Sequence, residues 1–376
     1  MLHKAKVLKA LEDLEDSLFV DTTQELDSAY KAWKQLICDD TFKEKIEACD
    51  VDWPLPTWEG NLDDVFPVQS YTDPYQLLAV DGSQIYPDKH QGTSCFLINV
   101  GTVELQYGTG LKGATLDATP HVFSERMHFS DDGFAGSTDL VNCKREELEL
   151  EYGYNHIIKM EQEGLKDPLV FLFDGSLIFW HLESKEENLK HYFLKKYCDQ
   201  LKLFKKQKTI MGGYISLPKS KELVNIVRMF LLQFSTKKNP LELLPLLVDT
   251  AIVNFFLPPG ARTTLFKNRS TISDYYPESV RPYFFYINVS DEIARVEIPA
   301  YLAEDKSAVD LLSAIVLDQS QKGGGYPVGI AEAHEQAVVK GPDREFFYHL
   351  IEKCGIKQKR RIMLSQKSRK KRGIAV

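Results

Sequence analysis

Two short apolar runs in the chain end in the same three residues. Residues 77–83 read Leu-Leu-Ala-Val-Asp-Gly-Ser, and residues 169–176 read Leu-Val-Phe-Leu-Phe-Asp-Gly-Ser. A run of this length that is apolar on both faces predicts a strand buried in the middle of a sheet. The glycine allows the backbone to turn sharply after the aspartate. If the two strands are neighbours, Asp81 and Asp174 lie together at one sheet end, where their charges repel unless a cation or a proton lies between them.

The pattern around these strands predicts a mixed α/β domain. β-rich runs at 94–100 and 103–107, separated by Gly101 and Thr102, predict a hairpin, so the core begins with three antiparallel strands. The next predicted elements are a helix at 139–163, the second Asp-Gly-Ser strand at 169–176, a helix at 183–208 and a strand at 210–217. Strands followed by alternating helices and strands predict a mixed sheet flanked by helices. This is the order of the ribonuclease-H-like fold, which commonly hosts two-metal nucleases, although a fold alone does not prove a function.

The segments around this core are predicted to be mostly helical. Residues 2–50 carry two amphipathic patterns, which form either an arm for dimerisation or partner binding or a layer packed on the sheet. Residues 50–75 form a connector, and residues 108–136 form a long glycine-rich loop. Later helices are predicted at 220–232, 305–322, 327–339 and 343–354, with a strand pair at 283–289 and 294–298. We divide the chain into a helical arm with connector (1–74), a core domain (75–345) and a helix end with a basic tail (346–376).

Charge limits how such a chain contacts nucleic acid. Residues 357–372 contain nine Lys and Arg and no acidic residue, and they therefore carry a charge of +9. Because the net charge of the whole chain is −8, the rest of the chain carries −17 (−8 − 9). A body this acidic contacts nucleic acid only through a localised basic surface, an enclosed channel or a metal-neutralised site.

Other classes of function are disfavoured. The six cysteines include no Cys-x-x-Cys pair, which argues against a zinc or redox motif. P-loop, dinucleotide and Gly-x-Ser-x-Gly motifs are also missing from the sequence. Apolar runs of membrane-spanning length and a signal-peptide pattern are not found either, so we expect a soluble cytoplasmic protein with no membrane contact.

Acidic residues are the candidates for chemistry. Divalent hard cations prefer carboxylate oxygens, and two of them about 4 Å apart can clamp a phosphodiester displacement. Such a site needs three or four acidic or His side chains from different elements, of which Asp81 and Asp174 supply two. The helix at 139–163 offers four candidates for the third, although most must be surface charges: Glu146, Glu147, Glu149 and Glu151. The late helix offers His334, although a lone helical His is more often structural; the weaker rivals are Glu332, Glu335 and Asp343.

Two further residues are candidates for substrate binding. Lys219, just past a predicted strand end, either holds a phosphate or is a solvated lysine. Tyr326, between a glycine run and a proline, either packs or provides a stacking surface for a base, and we favour packing. The 357–372 tail is either a solubilising end or a contact for phosphates or a partner's acidic face.

Several segments together resemble one family, the NurA nucleases. They are Leu-Ala-Val-Asp-Gly-Ser (78–83), Arg-Glu-Glu-Leu-Glu (145–149), Phe-Leu-Phe-Asp-Gly-Ser-Leu (171–177), the strand end with Lys219 and Ser220, Arg-Val-Glu-Ile-Pro (295–299), Gly-Tyr-Pro (325–327) and Ala-His (333–334). Each segment is short. Their order, from about residue 75 to 345, is more specific than any one of them.

The resemblance implies a DNA nuclease with a ribonuclease-H-like core, usually dependent on Mn²⁺, with Mg²⁺ as the alternative. It implies 5′–3′ exonuclease and single-strand endonuclease activity, in a homodimeric ring that works with the HerA hexameric translocase in DNA end resection, for repair or defence. By that likeness Asp81, Glu149 and Asp174 are the metal carboxylates and His334 is the fourth site residue. The family's acid comes four residues after the arginine, which selects Glu149 over Glu147. The 108–136 loop and the basic C-terminus depart from the family pattern.

Two alternative functions are kept. One is a catalytically silent dimeric ring that docks on a DNA-translocating ATPase and guides strands; degradation of linear DNA with Mn²⁺ separates it from a nuclease. The other is an RNA-directed nuclease of the same fold, which competition between labelled RNA and DNA would test.

Overall fold

A computed structural model describes residues 2–18, 21–49, 51, 53–88, 95–108, 113–124, 138–164, 167–235 and 240–358. The strands in it are β1 (Thr57–Trp58), β2 (Val65–Pro67), β3 (Tyr75–Ile85), β4 (Cys95–Tyr107), β5 (Ala114–Ser124), β6 (Leu169–Asp174), β7 (Ile210–Ile215), β8 (Ala261–Thr263), β9 (Phe266–Lys267), β10 (Pro282–Asn288) and β11 (Ile293–Pro299). The helices are α1 (Lys4–Glu12), α2 (Glu15–Leu18), α3 (Thr23–Leu36), α4 (Phe42–Glu47), α5 (Thr138–Gln162), α6 (Glu187–Gln207), α7 (Glu222–Leu231), α8 (Asp249–Val253), α9 (Ala300–Ala303), α10 (Lys306–Lys322), α11 (Val328–Ala337) and α12 (Gly341–Lys357). Short 3₁₀ turns lie at Trp180–Leu182, Pro240–Glu242, Thr271–Tyr275 and Glu278–Val280.

The strands join in one mixed sheet, in the order β1-β9-β10-β11-β7-β6-β3-β4-β5. β3, β4 and β5 form an antiparallel meander, whereas β6 and β7 run parallel to β3. An antiparallel meander followed by parallel strands on its far side is the predicted ribonuclease-H-like arrangement. The fold prediction is therefore confirmed.

Alternating side chains on the central strands pack against different helical layers. On β3, Leu78 and Val80 belong to the core under α5 and α6. On the same strand, Leu77 and Ala79 face α10 and α11 instead. Because side chains alternate along a strand, Asp81 continues the row that faces α11. The sheet is therefore buried on both faces, which explains why its central strands are apolar throughout.

The structure corrects two local predictions. Gly101 and Thr102 do not form a hairpin turn, because β4 runs unbroken through both residues. The third antiparallel strand is β5, which lies inside the segment predicted as a loop at 108–136. β5 was missed because it is a sheet edge whose residues are mostly exposed, so it lacks apolar alternation. Residues 109–112 and 125–136 of the predicted loop, and 359–372 of the predicted tail, lie outside the described residues.

The segment before β3 contributes to the same fold. α3 buries Ala29, Trp33 and Leu36 in a core that also contains residues of α7 and α8, as expected of a packed layer. α1 buries no residue. Within the predicted connector, β1 pairs with β9 and β2 pairs with β8. No helix among the described residues is both long enough and apolar enough to cross a membrane.

Candidate active site

The two aspartates of the Asp-Gly-Ser repeats lie side by side. β3 and β6 are parallel neighbours whose last paired residues are Val80 and Phe173. One residue further along, Asp81 and Asp174 occupy adjacent strands, which lie about 4.8 Å apart in a sheet. Asp174 ends β6 as predicted, but β3 continues past Asp81 to Ile85.

His334 contacts the first of these aspartates. Its Nδ1 atom lies 2.8 Å from Oδ2 of Asp81, across 253 residues of sequence. The Asp81 side chain is largely buried, whereas 58% of the His334 side chain is exposed. The imidazole is therefore held by a carboxylate at Nδ1, while more than half of the side chain is open to solvent.

α11 lies close to the sheet at this point, which fixes His334 in place. Gly101 of β4 pairs with Asp81. A Cβ atom on Gly101 would lie 2.5 Å from the carbonyl oxygen of Ala333 and 2.6 Å from the amide nitrogen of Ala337. Asn99 also donates to the carbonyl of Ala337, at 2.9 Å. The close approach thus depends on a glycine in the middle of a strand.

Glu149 reaches the centre from the opposite helical layer. It lies on α5, and a Cβ atom on Gly82 would be 2.6 Å from its Oε1 atom. The glycine after Asp81 therefore leaves the space through which Glu149 approaches. Burial, opposed by Arg145 and reinforced by Asp81, raises the pKa of Glu149 to about 8. Its Oε1 atom has no hydrogen-bond partner among the described residues; Nε of Arg145 lies 3.5 Å away.

The other glutamates of α5 have different surroundings. Glu147 forms ion pairs with Lys144 at 2.9 Å and Lys196 at 2.7 Å. Glu146 lies 3.4 Å from His181, and burial raises its pKa to about 7. Both aspartates, Asp81 and Asp174, contribute to the raised pKa of Glu149. The contact over Gly82 brings Glu149 next to the residue that follows Asp81, which spacing alone did not predict.

Asp174 is open to solvent and contacts Tyr326. Desolvation and the Asp81 carboxylate raise the pKa of Asp174, whereas a hydrogen bond from Tyr326 and the charge of His334 lower it. Burial and the adjacent Asp174 raise the pKa of Tyr326, which keeps its hydroxyl a donor. The Tyr326 ring packs edge-on against Tyr214, with centroids 5.4 Å apart.

Lys219 lies in the loop after β7, and its side chain is exposed. β7 is the parallel neighbour of β6, and Tyr214 pairs with Asp174. Lys219 therefore follows a strand that ends at the same sheet edge as Asp174.

The donor set fits a divalent cation, although the side chains are not gathered around one point. Among the described residues, no group of three or more His, Cys, Asp and Glu is arranged to hold a metal ion together. Asp81 is paired with His334, and Glu149 lies beside Arg145. Yet the buried Oε1 of Glu149 lacks a hydrogen bond among the described residues, and the Asp81 carboxylate raises the pKa of both Glu149 and Asp174. A hard cation would give the Oε1 atom of Glu149 a partner and would neutralise the charge of the carboxylates, because such cations bind carboxylate oxygens.

The sheet combines an antiparallel meander with parallel strands, and it carries carboxylates on two adjacent central strands. These features define a protein of the ribonuclease-H-like class. Within that class the chain belongs to the NurA family, since the family model described as the NurA domain matches residues 75–339. The predicted family is thereby confirmed.

Solved structures are similar to the chain over most of its length. One is the crystal structure of the NurA nuclease from Sulfolobus solfataricus, with 15% identity and a TM-score of 0.52, covering 95% of this chain and 98% of that one. Another, described as the crystal structure of NurA, has 11% identity and a TM-score of 0.42, covering 93% and 98%. A third, of NurA with manganese, has 13% identity and a TM-score of 0.35, covering 86% and 95%. No curated protein matches the sequence. At these identities the likeness concerns the fold.

Proposed function

We propose that the protein is a divalent-metal-dependent nuclease that hydrolyses phosphodiester bonds in DNA. The observation that carries this proposal is that three carboxylates, from two layers of the fold, lie near the same end of strands β3 and β6. Asp81 and Asp174 come from neighbouring strands, and Glu149 comes from the helix on the other face. Charges placed this way repel a phosphate unless a cation is bound among them.

Asp81, Asp174 and Glu149, with His334 as the fourth residue, would hold the metal. We propose Mn²⁺, with Mg²⁺ as the alternative: carboxylates suit both ions, and an imidazole suits a transition metal. When bound, the metal would activate water and stabilise charge on the leaving 3′ oxygen. Manganese is also named for solved NurA structures.

The chain's own residues have distinct roles in this proposal. Tyr326 favours the ionised form of Asp174, because the hydrogen bond that its hydroxyl donates to the carboxylate lowers the pKa. Asp81 orients the imidazole of His334 through Nδ1, so the exposed edge faces the substrate. Lys219, exposed beyond the neighbouring strand, would hold a phosphate next to the carboxylates. Arg145, beside Glu149, partly offsets the negative charge of the site.

We further propose that the protein acts as a homodimer with a HerA-type hexameric translocase, in DNA end resection for repair or in defence. The sequence lacks a P-loop, so movement along DNA would come from a partner. The exposed leucines of the first helices, Leu8, Leu11, Leu14 and Leu18, are available for contacts of this kind.

Degradation of labelled linear DNA with Mn²⁺ tests the nuclease proposal. Asp174→Asn should lower the rate more than about a hundredfold, because even outer partners of metal ligands change activity by 10- to 100-fold. Asp117→Asn, which changes an exposed carboxylate of β5, is the matched control and should retain wild-type cleavage. A chelator should abolish cleavage, and added Mn²⁺ should restore it. Wild-type cleavage by Asp174→Asn would overturn the proposal.

A catalytically silent ring that guides DNA is the second candidate. It is favoured by the observation that, in the part of the chain described, three ligands are not already gathered around one point. The same assay separates the two functions when it is repeated with the translocase present. A silent ring would degrade no DNA under either condition and would bind Mn²⁺ no more tightly than Asp174→Asn does.

A further inference from the structure

The turn that carries Asp174 is anchored from a strand two positions away in the sheet. Glu297 lies on β11, its side chain is fully buried, and its Cα pairs with that of Gly213 on β7. Oε2 of Glu297 accepts hydrogen bonds from Oγ of Ser176 at 2.6 Å and from the amide of Ile178 at 3.1 Å. The carboxylate of Glu297 therefore fixes two positions of the turn that begins directly after Asp174.

A glycine between the two strands makes this contact feasible. Gly213 is also paired with Phe173, so Glu297, Gly213 and Phe173 form one row across the sheet. Because Gly213 has no side chain, the Glu297 side chain can extend over β7 to reach the turn. A Cβ atom on Gly213 would lie 2.4 Å from the carbonyl oxygen of Gly175, which has a φ of +140°.

A buried arginine holds Glu297 itself. Nε of Arg295 donates to Oε1 of Glu297 at 2.8 Å, and its NH1 group donates to Oε1 of Glu222 at 2.9 Å. The guanidinium lies 3.7 Å from the centre of the Phe284 ring. Glu222 is the first residue of α7, the helix that follows the Lys219 loop. One buried network thus holds both the Asp174 turn and the start of the helix after Lys219.

This polar network lies in an interior where apolar residues would be expected. Burying charges is costly unless every partner is satisfied, and apolar substitutes of similar shape are often as stable. The network therefore calls for a reason beyond stability. Among the described residues, its hydrogen bonds toward the carboxylate centre run through Ser176 and Ile178, which follow Asp174 by two and four residues.

We propose that Glu297 is a positioning residue, which through Ser176 holds the Asp174 carboxylate in the orientation needed to bind the metal. This inference rests on the proposed function, because Asp174 must be a metal ligand for its orientation to matter. Hydrogen bonds one step removed from a metal change its affinity by about 10- to 100-fold. Loss of the Ser176 hydroxyl should therefore weaken Mn²⁺ binding about tenfold while the sheet remains intact.

The experiment measures Mn²⁺ affinity, with the unbound ion followed by its electron paramagnetic resonance signal, for the full chain without DNA. Ser176→Ala should bind Mn²⁺ about tenfold more weakly than wild type, in line with second-shell effects. Ser176→Thr, which keeps a hydroxyl, should restore most of the affinity. Ser313→Ala is the matched control, because this buried serine donates only to Val309 of its own helix, at 2.7 Å. Its affinity should equal that of wild type.

Glu297→Gln provides a second route to the same answer. This variant removes the charge that Arg295 neutralises, but it keeps a side-chain oxygen that can accept the hydrogen bond from Ser176. Its Mn²⁺ affinity should therefore fall by less than that of Ser176→Ala. Equal affinity of Ser176→Ala and wild type would overturn the inference while leaving the proposed function standing. Failure of the wild-type protein to bind Mn²⁺ above the level of Asp174→Asn would overturn the proposed function instead.

Discussion

Replacing Gly101 with alanine should separate α11 from the sheet and move His334 away from Asp81. The new Cβ atom would lie 2.5 Å from the carbonyl oxygen of Ala333, whereas carbon and oxygen atoms normally approach to about 3.3 Å. Both close contacts are to backbone atoms, so no side-chain rotation can relieve them. The helix must move by about 0.8 Å, because that is the difference between the two distances.

This shift has two measurable consequences. The hydrogen bond between His334 and Asp81, now 2.8 Å, would lengthen beyond the usual limit of about 3.2 Å. Overpacking of a close-packed contact costs about 1–3 kcal/mol, so the free energy of unfolding should fall by that amount. A misplacement of about 1 Å can reduce a catalytic rate about a hundredfold, so DNA cleavage with Mn²⁺ should fall by up to this factor.

Chemical denaturation and the DNA cleavage assay, run on the same preparations, test the reasoning. Gly341→Ala is the matched control, because a Cβ atom there meets no heavy atom within 4 Å apart from its chain neighbours and the nearby backbone of its own helix. It should retain wild-type stability and cleavage. If Gly101→Ala matched Gly341→Ala in both assays, the close approach of α11 would not be what positions His334.

Three further predictions concern α5 and its contact with β3. Glu149→Gln should flatten the pH dependence of stability in metal-free protein. Because the pKa of Glu149 is raised from 4.5 to about 8 in the folded protein, the free energy of unfolding of the wild type falls as pH rises through this window. Denaturation at several pH values would detect the difference. A slope unchanged by the substitution would contradict the burial of Glu149. Gly82→Ala should weaken Mn²⁺ binding by more than about tenfold, since its Cβ would lie 2.6 Å from Oε1 of Glu149; calorimetric titration measures this, and unchanged affinity would refute it. Glu147→Gln should leave Mn²⁺-dependent cleavage near wild type but lower stability by about 1 kcal/mol, because its partners are Lys144 and Lys196; loss of cleavage with full stability would show that Glu147, rather than Glu149, serves the site.

The central strands were predictable because burial on both faces leaves a continuous apolar run. Residues 77–80 and 169–173 needed no long-range information, and their shared Asp-Gly-Ser ending predicted the neighbouring aspartates. The error at Gly101 has a physical cause. Glycine in a strand indicates either a turn or a close approach of another backbone, and only tertiary structure distinguishes them.

The edge of the sheet and the deeper polar contacts were beyond sequence reasoning for other reasons. β5 gains its strand conformation from pairing with β4, and its exposed residues carry no apolar pattern. Glu297 is an acidic residue in an apolar strand, and its sequence neighbours do not indicate that it reaches Ser176. The resemblance selected Glu149, but the space that Gly82 leaves for it above β3 could be seen only in the structure.

The contact between Asp81 and His334 also bears on biosynthesis, because 253 residues separate them. A ribosome adds roughly 5–20 residues per second, so about 13–50 s pass between the emergence of the two side chains. Until α11 leaves the exit tunnel, a nascent chain contains the aspartates without the histidine. Assembly of the complete centre is thus delayed until nearly all of the core has been translated, and chains truncated before residue 334 would lack it.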